Sequence, residues 1–156
     1  MASSEVAIAL FGLGAACFAF VIGGNLYEVV VCVPRWRSPG GLQAWRTFTG
    51  PRHAGYFFLS FAPIALVLLA AGTALGIGDA PQRTPWAIYT TAAVLAMLVF
   101  TRVFFIPRNL RLFMLPTVTS DDDEAARLLR QWIAGNYVRV ALSLTALASA
   151  IVALRR

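Results

Sequence analysis

The chain contains no lysine; all 13 of its basic residues are arginine. Charge of either sign is scarce, with 13% of 156 residues ionisable and only 7 of them acidic. There is one histidine, there are two cysteines, and no CxxC pair occurs. That inventory leaves no ligand set for a structural zinc site, which needs four close Cys or His side chains. Cys17 and Cys32 sit roughly 22 Å apart along one expected helix, at 1.5 Å per residue, so they cannot pair within it. No glycine-rich loop follows a strand pattern, so FGLGAA and IGGN read as close helix-packing surfaces rather than phosphate cradles. A net charge of +6 would suggest nucleic acid in a soluble protein. Here the arginines flank apolar runs and suit lipid headgroups instead, and no nucleic-acid partner is expected.

What the chain does have is apolar length. Hydrophobic residues make up 59% of it, against about 45–50% in soluble domains. Four stretches, about 6–31, 54–77, 85–106 and 131–154, each reach the roughly 20 residues that a membrane-crossing helix needs. The first carries Glu5 in place of a basic leader and is too long for a signal-peptide core. The expected fold is all-α: one domain over 1–156, a four-transmembrane-helix bundle with a polar pocket near one membrane face. The link from Pro34 to His53 is expected as a polar loop turning at SPGG, and Gly78 to Thr84 as a tight hairpin. In the third link, Ser120 with Asp123 forms a capping box, so the acidic SDDDE run is a helix start. Arginines crowd the first and third links. The positive-inside rule then puts both links in the cytoplasm and the termini outside, in what is expected to be a bacterial cytoplasmic membrane.

The polar residues inside the spans gather at one depth. Asn25 and Glu28 share a face of helix one by their i,i+3 spacing. His53, Tyr56 and Ser60 stand at the start of helix two. Arg102 and Asn109 flank Pro107, which is expected to bend or end helix three. Trp132, Asn136, Arg139 and Ser143 follow i, i+4, i+7, i+11, an inward seam for a bundle. A charge at a helix centre costs about 2.5–3.5 kcal/mol on insertion scales, and Glu28 is too short to reach water easily. An ion pair of Glu28 with Arg102 or Arg139 would either clamp the helices or wall a substrate pocket, and the residues leave both open. One carboxylate against two arginines makes a net-positive cavity, suited to an anionic or enolisable ligand. Trp36, Trp45 and Trp86 read as interface or loop anchors.

Three segments carry a resemblance. NLYEVVVCVPRW, FFIPRNLRL and LLRQWIAGNYVRV resemble the anthrone-oxygenase-like family of small four-helix integral membrane proteins. The family pattern falls at Pro34-Arg35-Trp36, at Pro107, Asn109 and Leu112, and at Trp132, Asn136 and Arg139. Leu112 stands one residue later than that pattern. His53 and Tyr56 lie where the family places a polar helix-two start. The resemblance implies a polyketide-tailoring enzyme that oxidises an anthrone to an anthraquinone with molecular oxygen as co-substrate and no organic cofactor.

Set against that chemistry, Glu28 is the expected base and His53 the second choice. Arg102 and Arg139 would stabilise enolate or peroxide charge, and Asn25, Tyr56, Asn109, Trp132 and Asn136 would hold the substrate. The expected partners are a lipophilic aromatic small molecule and the bilayer, and the size allows a homo-oligomer. A copper or iron centre would find one histidine, one intramembrane carboxylate and two asparagines, a thin ligand set. Two further readings keep the same residues: a cofactor-free isomerase or cyclase using Glu28 as acid and base, and a non-catalytic accessory membrane subunit.

Overall fold

The computed structural model describes residues 2–49, 55–76, 78, 80–114 and 122–156 of an all-α chain. Within these, side chains are described except at 2, 3, 46–49, 55, 56, 59, 114 and 122. The helices are α1 (Ala2–Tyr27), α2 (Val33–Arg37), α3 (Gly41–Thr49), α4 (Gly55–Gly76), α5 (Thr84–Phe100), α6 (Ile106–Asn109) and α7 (Asp122–Arg155). Helix α1 packs on α4, α4 on α5, α5 on α7 and α7 back on α1, which closes a four-helix bundle. Three helical stretches, Ser4–Arg37, Thr84–Phe113 and Asp123–Arg155, are long and apolar enough to cross a membrane, while Ser60–Gly76 is apolar but shorter. The chain is a membrane protein of the expected all-helical class, its fourth apolar helix shorter than the other three.

The prolines do not end their helices: the first helix runs past the end expected near residue 31 and through Pro34, and of the two outcomes expected at Pro107, bending or ending, ending does not occur. Helix α1 runs on through a π-helical turn, Glu28–Cys32, directly into α2. Helix α5 does the same through Thr101–Phe105 into α6, and a further π-turn spans Leu110–Met114. The physical cause is shared. Pro34 and Pro107 lack an N–H and their rings crowd the carbonyl four residues back. Widening the coil by one residue relieves that crowding: the Val33 N–H reaches the Glu28 carbonyl and the Ile106 N–H reaches that of Thr101. Such π-turns concentrate at functional sites. The first link is likewise more ordered than expected, since α2 occupies its start and α3 its middle, with Gly40 at φ +69° making the turn between them. Helix α7 starts at Asp122, within the acidic run; Ser120 of the expected capping box lies outside the described residues.

At the end of the bundle nearest the termini the helices pack very closely. A Cβ on Gly72 would lie 2.6 Å from the Phe11 amide nitrogen, and one on Gly14 would lie 2.8 Å from that of Leu69. Glycine is required at both positions because backbone, not a flexible side chain, occupies the space. Alanines and phenylalanines fill the interior there, among them Ala65, Ala146, Ala150, Phe11 and Phe18. Small hydroxyl residues tie the helices across: Thr73 Oγ1 and Thr91 Oγ1 lie 2.9 Å apart, and Ser149 donates to the Trp86 carbonyl. Arg83 Nε donates to the Ala153 carbonyl at 3.0 Å, which satisfies part of the C-terminal end of α7.

Candidate functional site

The interior divides into two apolar clusters. The larger one, described above, ends at Ile22, Met97 and Ala146. The smaller one is aromatic and lies at the link end, built from Trp36, Phe105, Phe113 and Trp132 with Cys32, Leu112, Leu128 and Ile133. Between them in sequence lie Asn25 and Glu28 of the first helical stretch, Thr101 and Arg102 of the second, and Asn136 and Arg139 of α7. The π-turns occupy this same level, so Glu28 and Arg102 each stand on a widened coil.

Arg139 is the centre of the polar layer. Its Nη2 donates to Glu28 Oε2 at 2.5 Å, joining α7 to the first π-turn, with both side chains nearly buried. Its Nε donates to Asn136 Oδ1 at 3.0 Å, one turn back on the same helix. Three aromatic faces surround the guanidinium: Phe105 at 4.2 Å, Phe58 at 5.2 Å and Trp132 at 6.0 Å from their ring centres. A cation held this way keeps its charge in a site poor in water, because the carboxylate, an amide oxygen and the ring quadrupoles replace hydration. Asn109 and Trp132 form the adjoining contact, the indole Nε1 donating to Asn109 Oδ1 at 2.7 Å. Trp132 in turn meets Trp36 edge to face at 4.9 Å.

These residues wall a cavity of about 1050 Å³, with Asn25, Glu28, Cys32, Trp36, Arg102 and Arg139 among those facing it. Its surface is overwhelmingly apolar, interrupted by a few converging polar groups, which is the usual make-up of a small-molecule site. Two of the polar groups have no protein partner among the described residues. Asn25 is fully buried, yet neither its amide nitrogen nor its oxygen is hydrogen-bonded there, and the Trp36 indole nitrogen is also unpaired. Unmade buried hydrogen bonds cost about 1–3 kcal/mol each, and both residues border the cavity. Arg102 is exposed and makes no ion pair or hydrogen bond among the described residues, whereas Arg139 is buried and paired.

Of the residues singled out from sequence, Asn25, Glu28, Arg102, Asn109, Trp132 and Arg139 all line this one cavity. Asn136 is buried behind it, holding Arg139 rather than facing the space. Glu28 pairs with Arg139, which resolves the choice between the two arginines. His53 lies outside the described residues, and Tyr56 is placed only as part of α4. Trp36 is not a surface anchor: it is 5% exposed at the centre of the aromatic cluster. Trp45, half-buried on α3 in the first link, meets it edge to face at 5.6 Å, and both line the cavity. Trp86 is 42% exposed, as an interface residue would be. Cys32 and Phe58 also reach the cavity unforeseen. Among the described residues, no three His, Cys, Asp or Glu side chains gather where they could hold a metal ion.

The fold and site define a small helical membrane protein enclosing a ligand-sized, aromatic-walled cavity with an ion pair in its wall. Residues 53–149 match the anthrone oxygenase family, and the chain belongs to that family. No curated protein and no solved structure matches it. The matched stretch holds Arg102, Asn109, Trp132, Asn136 and Arg139, whereas Asn25, Glu28 and Trp36 precede it.

Proposed function

We propose that the chain is a membrane-embedded tailoring enzyme that oxidises an anthrone-type or related phenolic polyketide to a quinone with molecular oxygen. The observation that carries this reading is the Glu28–Arg139 pair set in the wall of an aromatic-lined cavity. An anthrone has a methylene flanked by two aromatic rings and activated by the carbonyl across the ring. Glu28 takes one of its protons, and the resulting anthrolate is electron-rich enough to give an electron to oxygen. Recombination forms a carbon–oxygen bond and, once protonated, a hydroperoxide. Loss of water then leaves the new carbonyl, so one CH₂ and one O₂ become one C=O and one H₂O. Arg102, with no partner among the described residues, stabilises the enolate or peroxide oxygen. Arg139 holds Glu28 in place and Asn136 holds Arg139. The walls of Phe57, Phe58, Trp36 and Phe113 suit a flat ring system.

In this reading the links face the cytoplasm and the termini the outside of a bacterial membrane. Molecular oxygen is the co-substrate, and a metal is not called for. The test is a membrane assay with candidate anthrones that follows quinone absorbance and oxygen uptake together. One oxygen consumed per quinone, lost in E28Q, supports the reading. Turnover without oxygen uptake would make the protein a proton-transfer isomerase or cyclase. Wild-type activity of a partner complex with E28Q would make it an accessory subunit.

A further inference from the structure

The cavity is larger and longer than a flat polar-edged ring requires. Its wall continues away from Glu28 along one face of α1, through Gly23, Phe20, Ala19 and Ala16, with Pro63 of α4 and Leu98 of α5 across from it. Ala16, Ala19 and Gly23 keep this face of α1 shallow, and Phe20 is 65% exposed beside it. From Glu28 to Ala16 the groove runs roughly 18 Å at 1.5 Å per residue. It therefore reaches the middle of an apolar span and opens there toward lipid. The polar end carries the opposite signature. Glu28 is neutralised by Arg139, which leaves Arg102, an exposed side chain on the cavity wall, as a cation with no partner among the described residues. On the same cavity wall, the Asn25 amide carries a donor and an acceptor, and the Trp36 indole a donor, unpaired among the described residues.

We propose that the natural ligand is an alkyl-tailed phenol that enters sideways from the bilayer, its ionisable oxygen at Arg102 and Asn25 and its tail along the α1 groove. This deepens the reading above and rests on it for the aromatic head. Each part of the ligand answers one observation. An ionised oxygen balances Arg102 and accepts from the Asn25 amide nitrogen, and a second ring hydroxyl donates to the Asn25 amide oxygen. A flat ring fits between the aromatic walls, and an apolar chain fills a groove without hydrogen-bonding groups. A phospholipid meets the groove equally well but not the polar end. Its headgroup belongs at the membrane surface, and Asn25 is fully buried.

The experiment uses the full chain in nanodiscs of zwitterionic lipid, without oxygen, so that binding is read apart from any oxidation. Ring-brominated resorcinol and its pentadecyl homologue are titrated, and quenching of the cavity-lining tryptophans Trp36, Trp45 and Trp132 reports occupancy. At equal membrane concentration lipid already solvates the tail, so its advantage, roughly tenfold or more, comes from closer packing in the groove than fluid lipid gives. In A19W the tail advantage falls toward one. Where A19W does not fold, a series of tail lengths on the wild type serves: affinity rises with length and then levels off at the length of the groove. R102Q weakens the ionised phenol roughly tenfold, as expected for loss of a charge-assisted hydrogen bond. Equal affinity for short and tailed phenols, or an R102Q variant that binds as the wild type does, would overturn the proposal. So would displacement by phosphatidylglycerol at the same mole fraction, which would make the groove a lipid site. Oxidation of short anthrones without tail preference would leave the enzymatic reading standing and sink only this one.

Discussion

The two ends of the bundle are built on opposite terms. Near the termini, glycine and alanine bring α1 and α4 into backbone contact, and each buried hydroxyl there finds a carbonyl or another hydroxyl. Near the links the coils are widened by π-turns, the interior is aromatic, and buried polar atoms on Asn25 and Trp36 go unpaired. One end leaves only a pocket of about 20 Å³ beside Gly72, while the other keeps about 1050 Å³ open. The contrast teaches where this protein places its stability and where it gives some up. Closely packed small residues hold the frame, and the open end tolerates unmade bonds because a ligand can make them.

Five substitutions probe this division, in decreasing order of expected effect, with G23A as the control for G72A. E28Q leaves Arg139 buried without its counter-charge and lowers unfolding stability by about 3–5 kcal/mol. Thermal unfolding in detergent measures it, and a drop below 1 kcal/mol would show that the pair is a surface contact. G72A forces a Cβ against the backbone of α1 and costs about 1–3 kcal/mol. G23A, whose Cβ would meet nothing within 4 Å, should unfold as the wild type does; equal loss in both would erase the distinction between the two ends. N25L has the opposite sign. Replacing an unpaired buried amide by an apolar side chain of similar size raises stability by about 1–2 kcal/mol while weakening substrate binding. A stability loss there would mean that Asn25 is already satisfied in the empty protein. N109A removes the partner of the Trp132 indole and costs about 1 kcal/mol, with a change in tryptophan emission that G23A does not produce.

Much of the site could be read from spacing. The i,i+3 pair Asn25 and Glu28 and the seam of Trp132, Asn136 and Arg139 are periodic signals, and periodic signals survive folding because a helix has one geometry. The burial of Trp36 was hidden because an arginine-flanked tryptophan just after a proline resembles an interface anchor, and only the approach of Phe113 and Trp132 decides otherwise. Pro34, which reads as the start of a loop, misled for a related reason, and at Pro107 the choice between bending and ending stayed open. Sequence carries the missing N–H of proline, but not the i→i−5 bond that lets the helix continue past it. Asn136 was correctly placed on the inward face, yet its partner turned out to be on its own helix.

By itself, the sequence determined the class: apolar runs too long for a soluble fold, arginines at their ends, and a single level at which polar residues recur. Hydrophobic length and helical period depend on covalent geometry and on the cost of leaving backbone groups unpaired in lipid. Which arginine neutralises Glu28, which one is left without a counter-charge, and how much space lies between them were decided by tertiary structure alone. Those outcomes depend on distances between helices far apart in the chain, and no local pattern encodes them.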